Sequence, residues 1–378
     1  MKKRLALFLT IMTGLLPLTG SLNSSLLYRV EEPAISPAAR YYMCFRTSQP
    51  LTIDGRLEED AWKKVYWSED FIDIQGKSKP KPRYKTRVKL LWDDDYFYIG
   101  AELEEPQVWA TLTKRDSIIY QDNDFEVFID PDGDSHLYYE LEINALNTVW
   151  DLLLVKPYRD GGPAIHSWDI QGLKTAVAVN GTLNDPKDKD KGWTVEIALP
   201  WEVLKEASPF KKRPEPGESW RLNFSRVEYR VKIVDGSYQK EKDPTTGRDL
   251  PEDNWTWAPQ GLINIHYPEM WGYVQFTATE AGRAKEYCDE DQDAEVKWAL
   301  RKIYYRQRKL YSEQGKWAER WEDLNLTGDR QLKVKDCGYP PLIMATDSLF
   351  EAIYIGKDGQ KWHIRQDGLI WKTSSEQK

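Results

Sequence analysis

Apolar and polar residues alternate with a period of two along most of the chain, and the alternation breaks at short intervals. Trp193, Val195, Ile197 and Leu199 fall on one side and Thr194 and Glu196 on the other, until Pro200-Trp201 stops the run. Trp220, Leu222 and Phe224 repeat the pattern against Arg221, Asn223 and Ser225. Residues 87–92 and 96–103 flank Asp93-Asp94-Asp95 and predict a hairpin. Residues 125–130 and 138–144 predict a second, around Pro131-Asp132-Gly133-Asp134. In its returning strand Leu141 and Ile143 point one way while Glu140, Glu142 and Asn144 point the other. Residues 273–277 close the series. Many short strands without interleaved long helices predict an all-β fold, an antiparallel β-sandwich.

The period changes near Glu280. Val296, Leu300, Ile303 and Leu310 recur at helical spacing, and Gly315 supplies a stop. Trp317, Trp321 and Leu324 follow. Residues 350–355, 361–365 and 369–371 are separated by Asp358-Gly359 and Asp367-Gly368, both tight-turn dipeptides. Residues 285–378 therefore predict a small α+β unit, one long helix on a meander. The sandwich is expected over 46–279, with residues 21–45 as a linker or leading strand and a boundary between about 278 and 292.

Residues 1–20 are expected to be a signal peptide. Lys2-Lys3-Arg4 precede a run of about 14 mostly apolar residues, too short to span a bilayer comfortably. The expected product is exported, to the periplasm, the cell surface or the medium. Charge points the same way on partners: 53 basic against 61 acidic residues give −8, a poor match for nucleic acid or an anionic membrane. No later stretch approaches a membrane span. Cys44, Cys288 and Cys337 are an odd set with no metal or haem spacing, and a Cys288–Cys337 bridge is open to the C-terminal unit.

The 17 Trp and 21 Tyr are an excess with two explanations. All-β cores and hairpins use these rings, and sugar-binding surfaces stack them on pyranose faces. The first should hold for most of them, Trp257 included. Glu126, Glu140, Glu142 and Asn144 share a sheet face if their strands are neighbours. Such a face is a solvated surface, a polar sugar-binding face or, least in keeping with the pattern, a catalytic acid–base pair. Asp130, Asp132 and Asp134 cluster oxygen ligands in a hairpin loop, as calcium prefers, against the alternative of a plain acidic turn. They lack the EF-hand spacing, and no other cofactor is expected. No His-Glu-x-x-His, Gly-x-Ser-x-Gly or phosphate-loop motif occurs.

Five blocks in order resemble the family 9 carbohydrate-binding modules of bacterial xylanases. They are Ile53-Asp54-Gly55-Arg56-Leu57-Glu58-Glu59-Asp60-Ala61-Trp62, the Leu91-Trp92-Asp93-Asp94-Asp95-Tyr96 hairpin, and Asp122-Asn123-Asp124-Phe125-Glu126. Gly192-Trp193-Thr194-Val195-Glu196 running to Pro200-Trp201 is the fourth, and Trp257-Ala258-Pro259 with His266, Pro268 and Trp271-Gly272 the fifth. The resemblance covers about residues 50–278 and implies a β-sandwich with a lectin-like role. It also implies two tryptophans clamping a terminal sugar, with a Glu and an Arg on its hydroxyls. Position by position the Glu falls on Glu126, the first clamp on Tyr120, the Arg on Glu142, and the second clamp near Ile265 and His266. One wall is thus reduced to a tyrosine, the other is displaced, and one hydroxyl anchor has changed sign. The C-terminal unit lies outside this resemblance; Gln307, Tyr311, Gly315, Trp317 and Leu324 echo the globular part of a type IV pilin, a fold hint alone.

The expected function is non-catalytic binding of an oligo- or polysaccharide. Tyr120 and Glu126 would form the centre, with Glu142, Asn144, Asn223, Arg226 and His266 around it. The alternatives are a glycosidase or lyase, and an envelope interaction protein that has lost sugar binding.

Overall fold

The computed structural model describes residues 29–37, 40–326 and 328–374. The expected signal peptide lies outside them. The N-terminal part contains β1 (Tyr41–Arg46), β2 (Ile72–Asp73), β3 (Thr86–Trp92), β4 (Tyr96–Glu104) and β5 (Asp124–Asp130). There follow β6 (Tyr138–Asn144), β7 (Val149–Leu154), β8 (Ala164–Ile165), β9 (Lys174–Asn180) and β10 (Gly192–Pro200). Next come β11 (Ser219–Glu228), β12 (Val231–Val234), β13 (Ser237–Lys240), β14 (Asp253–Thr256) and β15 (Gly272–Glu280). A long helix, Ala294–Gln314, then leads to β16 (Leu342–Ala345), β17 (Phe350–Ile355), β18 (Lys361–Arg365) and β19 (Ile370–Thr373).

The strands hydrogen-bond in the order β8-β7-β6-β5-β11-β15-β1-β3-β4-β10-β9, one continuous sheet with β14 and β2 at its side. Its halves pack against each other: Phe125, Val127, Leu141, Leu222 and Phe224 from one half share a core with Val88, Leu90, Ile99, Val195 and Ile197 from the other. The architecture is a sandwich, but it is not purely antiparallel. The leading strand β1 lies parallel to both neighbours, Tyr41 opposite Tyr273 on β15 and Phe45 opposite Leu91 on β3. The strand closes the gap between a late strand and an early one, and no local pattern encodes its direction.

Two of the sequence blocks meet in the fold. Glu196, which alternation places away from the core, accepts hydrogen bonds from Asp54 N (3.0 Å), Gly55 N (2.9 Å) and Trp62 Nε1 (2.8 Å). Gly55 has φ +86°, and a Cβ there would sit 2.6 Å from the Val177 carbonyl carbon, so the turn requires glycine. Trp62, Trp92, Trp193, Trp201, Trp220, Trp255, Trp257 and Trp271 are buried, as core packing demands.

The helix starts after Asp293 and ends at Gly315 in the left-handed region, φ 69°. Its Ala299, Leu300, Ile303 and Tyr304 pack with Phe350, Ala352, Tyr354 and Ile364 of the meander and also with Leu262, Tyr267 and Met270, which precede β15. The two parts of the chain thus share a core. All three cysteines are free. Cys288 packs beside Met43 and Phe45 while Cys337 packs in the C-terminal core, so the Cys288–Cys337 bridge is not made.

A buried polar junction joins the two parts. Arg159 donates to both oxygens of Glu269 (2.8 and 2.9 Å) and to His266 O (2.9 Å), and its guanidinium lies 3.9 Å from the centre of the Tyr267 ring. Tyr305 of the helix also donates to Glu269, and Tyr304 donates to Asp160. Burial alone would raise Glu269, but the Arg159 charge and then Arg301 hold its carboxyl down at about 2. Removing one partner of a buried pair strands the other charge. Arg159→Leu is therefore expected to cost about 3–5 kcal/mol of stability, read as a lowered urea midpoint for the full chain.

Candidate binding site

The outer face of β11-β5-β6-β7 carries the predicted carboxylates in register. Ser225, Glu126, Glu142 and Trp150 stand side by side across the four strands, and Asn223, Phe128, Glu140 and Leu152 form the next row. Asp124 lies one step further along β5, beside Asn144. Alternation expects this face to be polar, and a solvated surface was the simplest outcome. Instead it is covered. The loop before β5 and the segment before β15 lay Ile119 and Trp271 over Phe128, Tyr138 and Leu152. Glu126 keeps 6% of its surface, Glu140 5%, Glu142 1% and Asp124 none.

Four carboxyls in such a place resist ionisation. Burial pushes Glu126 up to about 7, with Glu252 adding to it and a hydrogen bond with Ser225 opposing it. Burial and then the neighbouring carboxylates raise Asp124, Glu140 and Glu142 well above the ordinary range. Backbone amides satisfy part of the cluster: Val227 N donates to Asp124 Oδ1 (3.2 Å) and Tyr120 N to Glu142 Oε2 (2.9 Å). Asp124 Oδ2 and Glu140 Oε2 are buried without a hydrogen-bond partner. Among the described residues no lysine or arginine pairs with any of the four.

Tyr120 forms the rim. It is 39% exposed, and its phenol is raised by burial and then by Glu142, Glu252, Glu140 and Glu126; its main-chain N–H, bonded to Glu142, sets the residue at the edge of the cluster. Its backbone is fixed from two sides, by Glu142 and by Tyr229 Oη, which donates to Tyr120 O (3.0 Å). Asp122 pins the preceding loop, accepting from Thr111 N (2.8 Å), Leu112 N (2.9 Å) and Asn144 Nδ2 (3.0 Å). Beyond Tyr120 lie Trp150, ring centres 6.4 Å apart, and His166, stacked on Trp150 at 5.5 Å. Lys240 sits 3.3 Å from the centre of the Tyr229 ring. The structure thus adds an aromatic row and a cation that were absent from the sequence-based site. The register of Trp150 with Glu142 was the signal available for the row.

Residues 53–248 match the model of the carbohydrate family 9 binding domain-like family. The chain belongs to that family. Exoglucanase XynX of Acetivibrio thermocellus is 27% identical over 149 residues, 39% of this chain and 11% of that protein. Endo-1,4-beta-xylanase C of Paenibacillus barcinonensis is 32% identical over 89 residues, 24% of this chain and 7% of that protein. The chain therefore spans about a tenth or less of the length of these relatives. Among solved structures, a family 9 module from Caldicellulosiruptor kristjanssonii in complex with cellotriose aligns with a TM-score of 0.42 and 17% identity, over 66% of this chain and 100% of its own. A putative carbohydrate-binding protein from Bacteroides uniformis gives 0.46 and 15%, over 63% and 100%.

In this family 9 domain the expected site residues divide into two groups. Tyr120, Glu126 and Glu142 come together. Asn144 is buried, giving Nδ2 to Leu112 O and Asp122 and taking Leu146 N and Thr148 N on Oδ1. Asn223 is buried and spent on Ala258, donating to its O and accepting from its N, both at 2.9 Å. Arg226 falls on the core-facing side with Leu222 and Phe224, where it pairs with Glu105 (2.6 Å) and Glu228 (2.8 Å). His266 is buried against Phe128, Tyr138 and Tyr158, its Nδ1 3.0 Å from Tyr138 Oη. These four are internal supports rather than rim contacts. Asp130, Asp132 and Asp134 do converge, with one oxygen of each within 4.8 Å of the others, but Gly133 N and Ser135 N occupy both oxygens of Asp130.

Burial, and then the Arg159 charge, hold His266 down at about 3. The unfolded chain takes up this proton near 6.5, the folded chain only near 3, so acid favours unfolding across that window. His266 stability is complete above pH 6.5 and is lost as pH falls towards 3, by at most about 1.4 kcal/mol per pH unit. The raised carboxyls contribute the opposite slope. The expected result is that His266→Gln loses less stability than wild type between pH 7 and pH 4.5, measured as the difference in urea unfolding.

Proposed function

We propose that this chain is an exported, non-catalytic saccharide-binding protein that takes a sugar face on Tyr120 and sugar hydroxyls on Glu126. The observation that carries the reading is the exposed Tyr120 ring at the edge of a carboxylate row, tied to it through Glu142, in a family 9 domain. A contact of about 40–60 Å2 on one ring contributes about 1–1.5 kcal/mol at about 25 cal/mol per Å2. Each hydroxyl bonded to the Glu126 carboxyl adds about 0.5–1.5 kcal/mol, and about 1.5–3 kcal/mol when that carboxyl is ionised. With one aromatic wall the affinity is roughly micromolar to millimolar. Export rests on the basic start and apolar run of residues 1–20, and among the described residues no helix is long and apolar enough to cross a membrane.

Binding fits better than hydrolysis. Glu126 and Glu142 sit on adjacent strands and project from the same face. A glycosidase pair must flank the scissile bond with a sugar ring between its carboxyls. An assay for released reducing sugar separates the two classes.

Titration calorimetry with soluble xylo- and cello-oligosaccharides tests the reading. Tyr120→Ala and Glu126→Ala should each weaken binding at least about fivefold, whereas Phe210→Ala, an exposed side chain that is not one of the site residues, should leave it unchanged. If a ligand is found and neither of the first two substitutions weakens it, the site lies elsewhere. N-terminal sequencing of the native protein should return a start near Ser21, and recovery of Met1 would overturn export.

A further inference from the structure

We propose that Asp124, Glu126 and Glu142 hold a divalent cation, calcium by the chemistry of its donors. One oxygen from each of these buried residues lies within 4.8 Å of the others. Calcium–oxygen distances of about 2.3–2.6 Å place opposite ligands up to roughly 5 Å apart, so a single ion reaches all three. The donors are all carboxylate oxygens, which select a hard cation.

An acidic cluster alone would not justify an ion, but two further observations do. Glu140, 95% buried and outside the trio, stands two positions from Glu142 on the same face of β6, and its Oε2 has no hydrogen-bond partner. Asp124 Oδ2 is likewise buried and unmatched, although Val227 N occupies Oδ1. Unmatched buried acceptors are costly, and buried charge is ordinarily paired or bound to metal. Register worsens the problem, since Glu126 and Glu142 stand directly opposite on neighbouring strands, where like charges repel. A cation among them supplies the charge that no lysine or arginine brings. Three protein ligands leave the rest of a six- to eight-fold shell of that kind to water. The proposal shares Glu126 with the saccharide reading but does not require a sugar.

The full chain, treated with EGTA and returned to chelator-free buffer, is titrated with calcium chloride at constant ionic strength, without saccharide. The melting temperature should rise by roughly 3 °C or more at millimolar calcium. Asp124→Asn, Glu126→Gln and Glu142→Gln should each melt higher than wild type in EGTA, because one like charge is gone, and each should need at least tenfold more calcium for the same rise. A merely structural defect would lower the melting temperature instead, and any one variant that unfolds cooperatively decides the matter. Asp132→Asn should keep the full response. No calcium-dependent shift in the wild type overturns the proposal. So does a shift that survives the three cluster substitutions or disappears in Asp132→Asn, which would assign the ion to the loop at 130–134. Oligosaccharide calorimetry in EGTA tests the sugar reading separately.

Discussion

Glu126 and Glu142 face each other across two hydrogen-bonded strands, and both are out of water. Much around them follows from that. Carboxyls so placed must carry protons, share a cation or lie against donors. The surrounding chain supplies donors sparingly: one amide from Tyr120, one from Val227, one contact with Ser225. The donor from Tyr120 also anchors the residue that forms the rim, so the electrostatics of the floor and the geometry of the rim are one problem. A change that relaxed Glu142 would leave Tyr120 held by Tyr229 alone on that side of the loop.

The covering of that face depends in turn on what lies behind it. Trp271 and His266 are held over Phe128 and Tyr138, and the segment that carries them is tied down by Arg159 and Glu269. Tyr304 and Tyr305 reach from the long helix into the same junction. The C-terminal unit therefore acts on the sandwich as a brace. It keeps the closing segment seated over the carboxylate face.

The sequence made the elements legible because their causes are local. Alternation located β6, β10 and β11, the turn at Asp93-Asp94-Asp95 located β3 and β4, and Gly315 marked the end of the helix. What it did not show is which faces are covered. The period of two separates Glu140 and Glu142 from Leu141 and Ile143 but says nothing about a second layer arriving from residues 262–271. Arg226 was placed with Asn223 by proximity in sequence, whereas an even offset from Leu222 puts it on the core side, where Glu105 and Glu228 neutralise it. The parallel setting of β1 was illegible for the same reason, since both partners are distant in the chain.

That placement of β1 bears on the order in which the protein can be made. Tyr41 finds its partner at Tyr273, some 230 positions later. A chain emerging from its amino end presents β1 first, and although β1 can meet β3 early, its other edge has no partner until almost the whole sandwich has followed. Contacts of such separation form slowly, and an open strand edge invites the wrong neighbour meanwhile. Pairing of β1 with β15 is therefore a late step, and it is the step that turns two separate half-sheets into one.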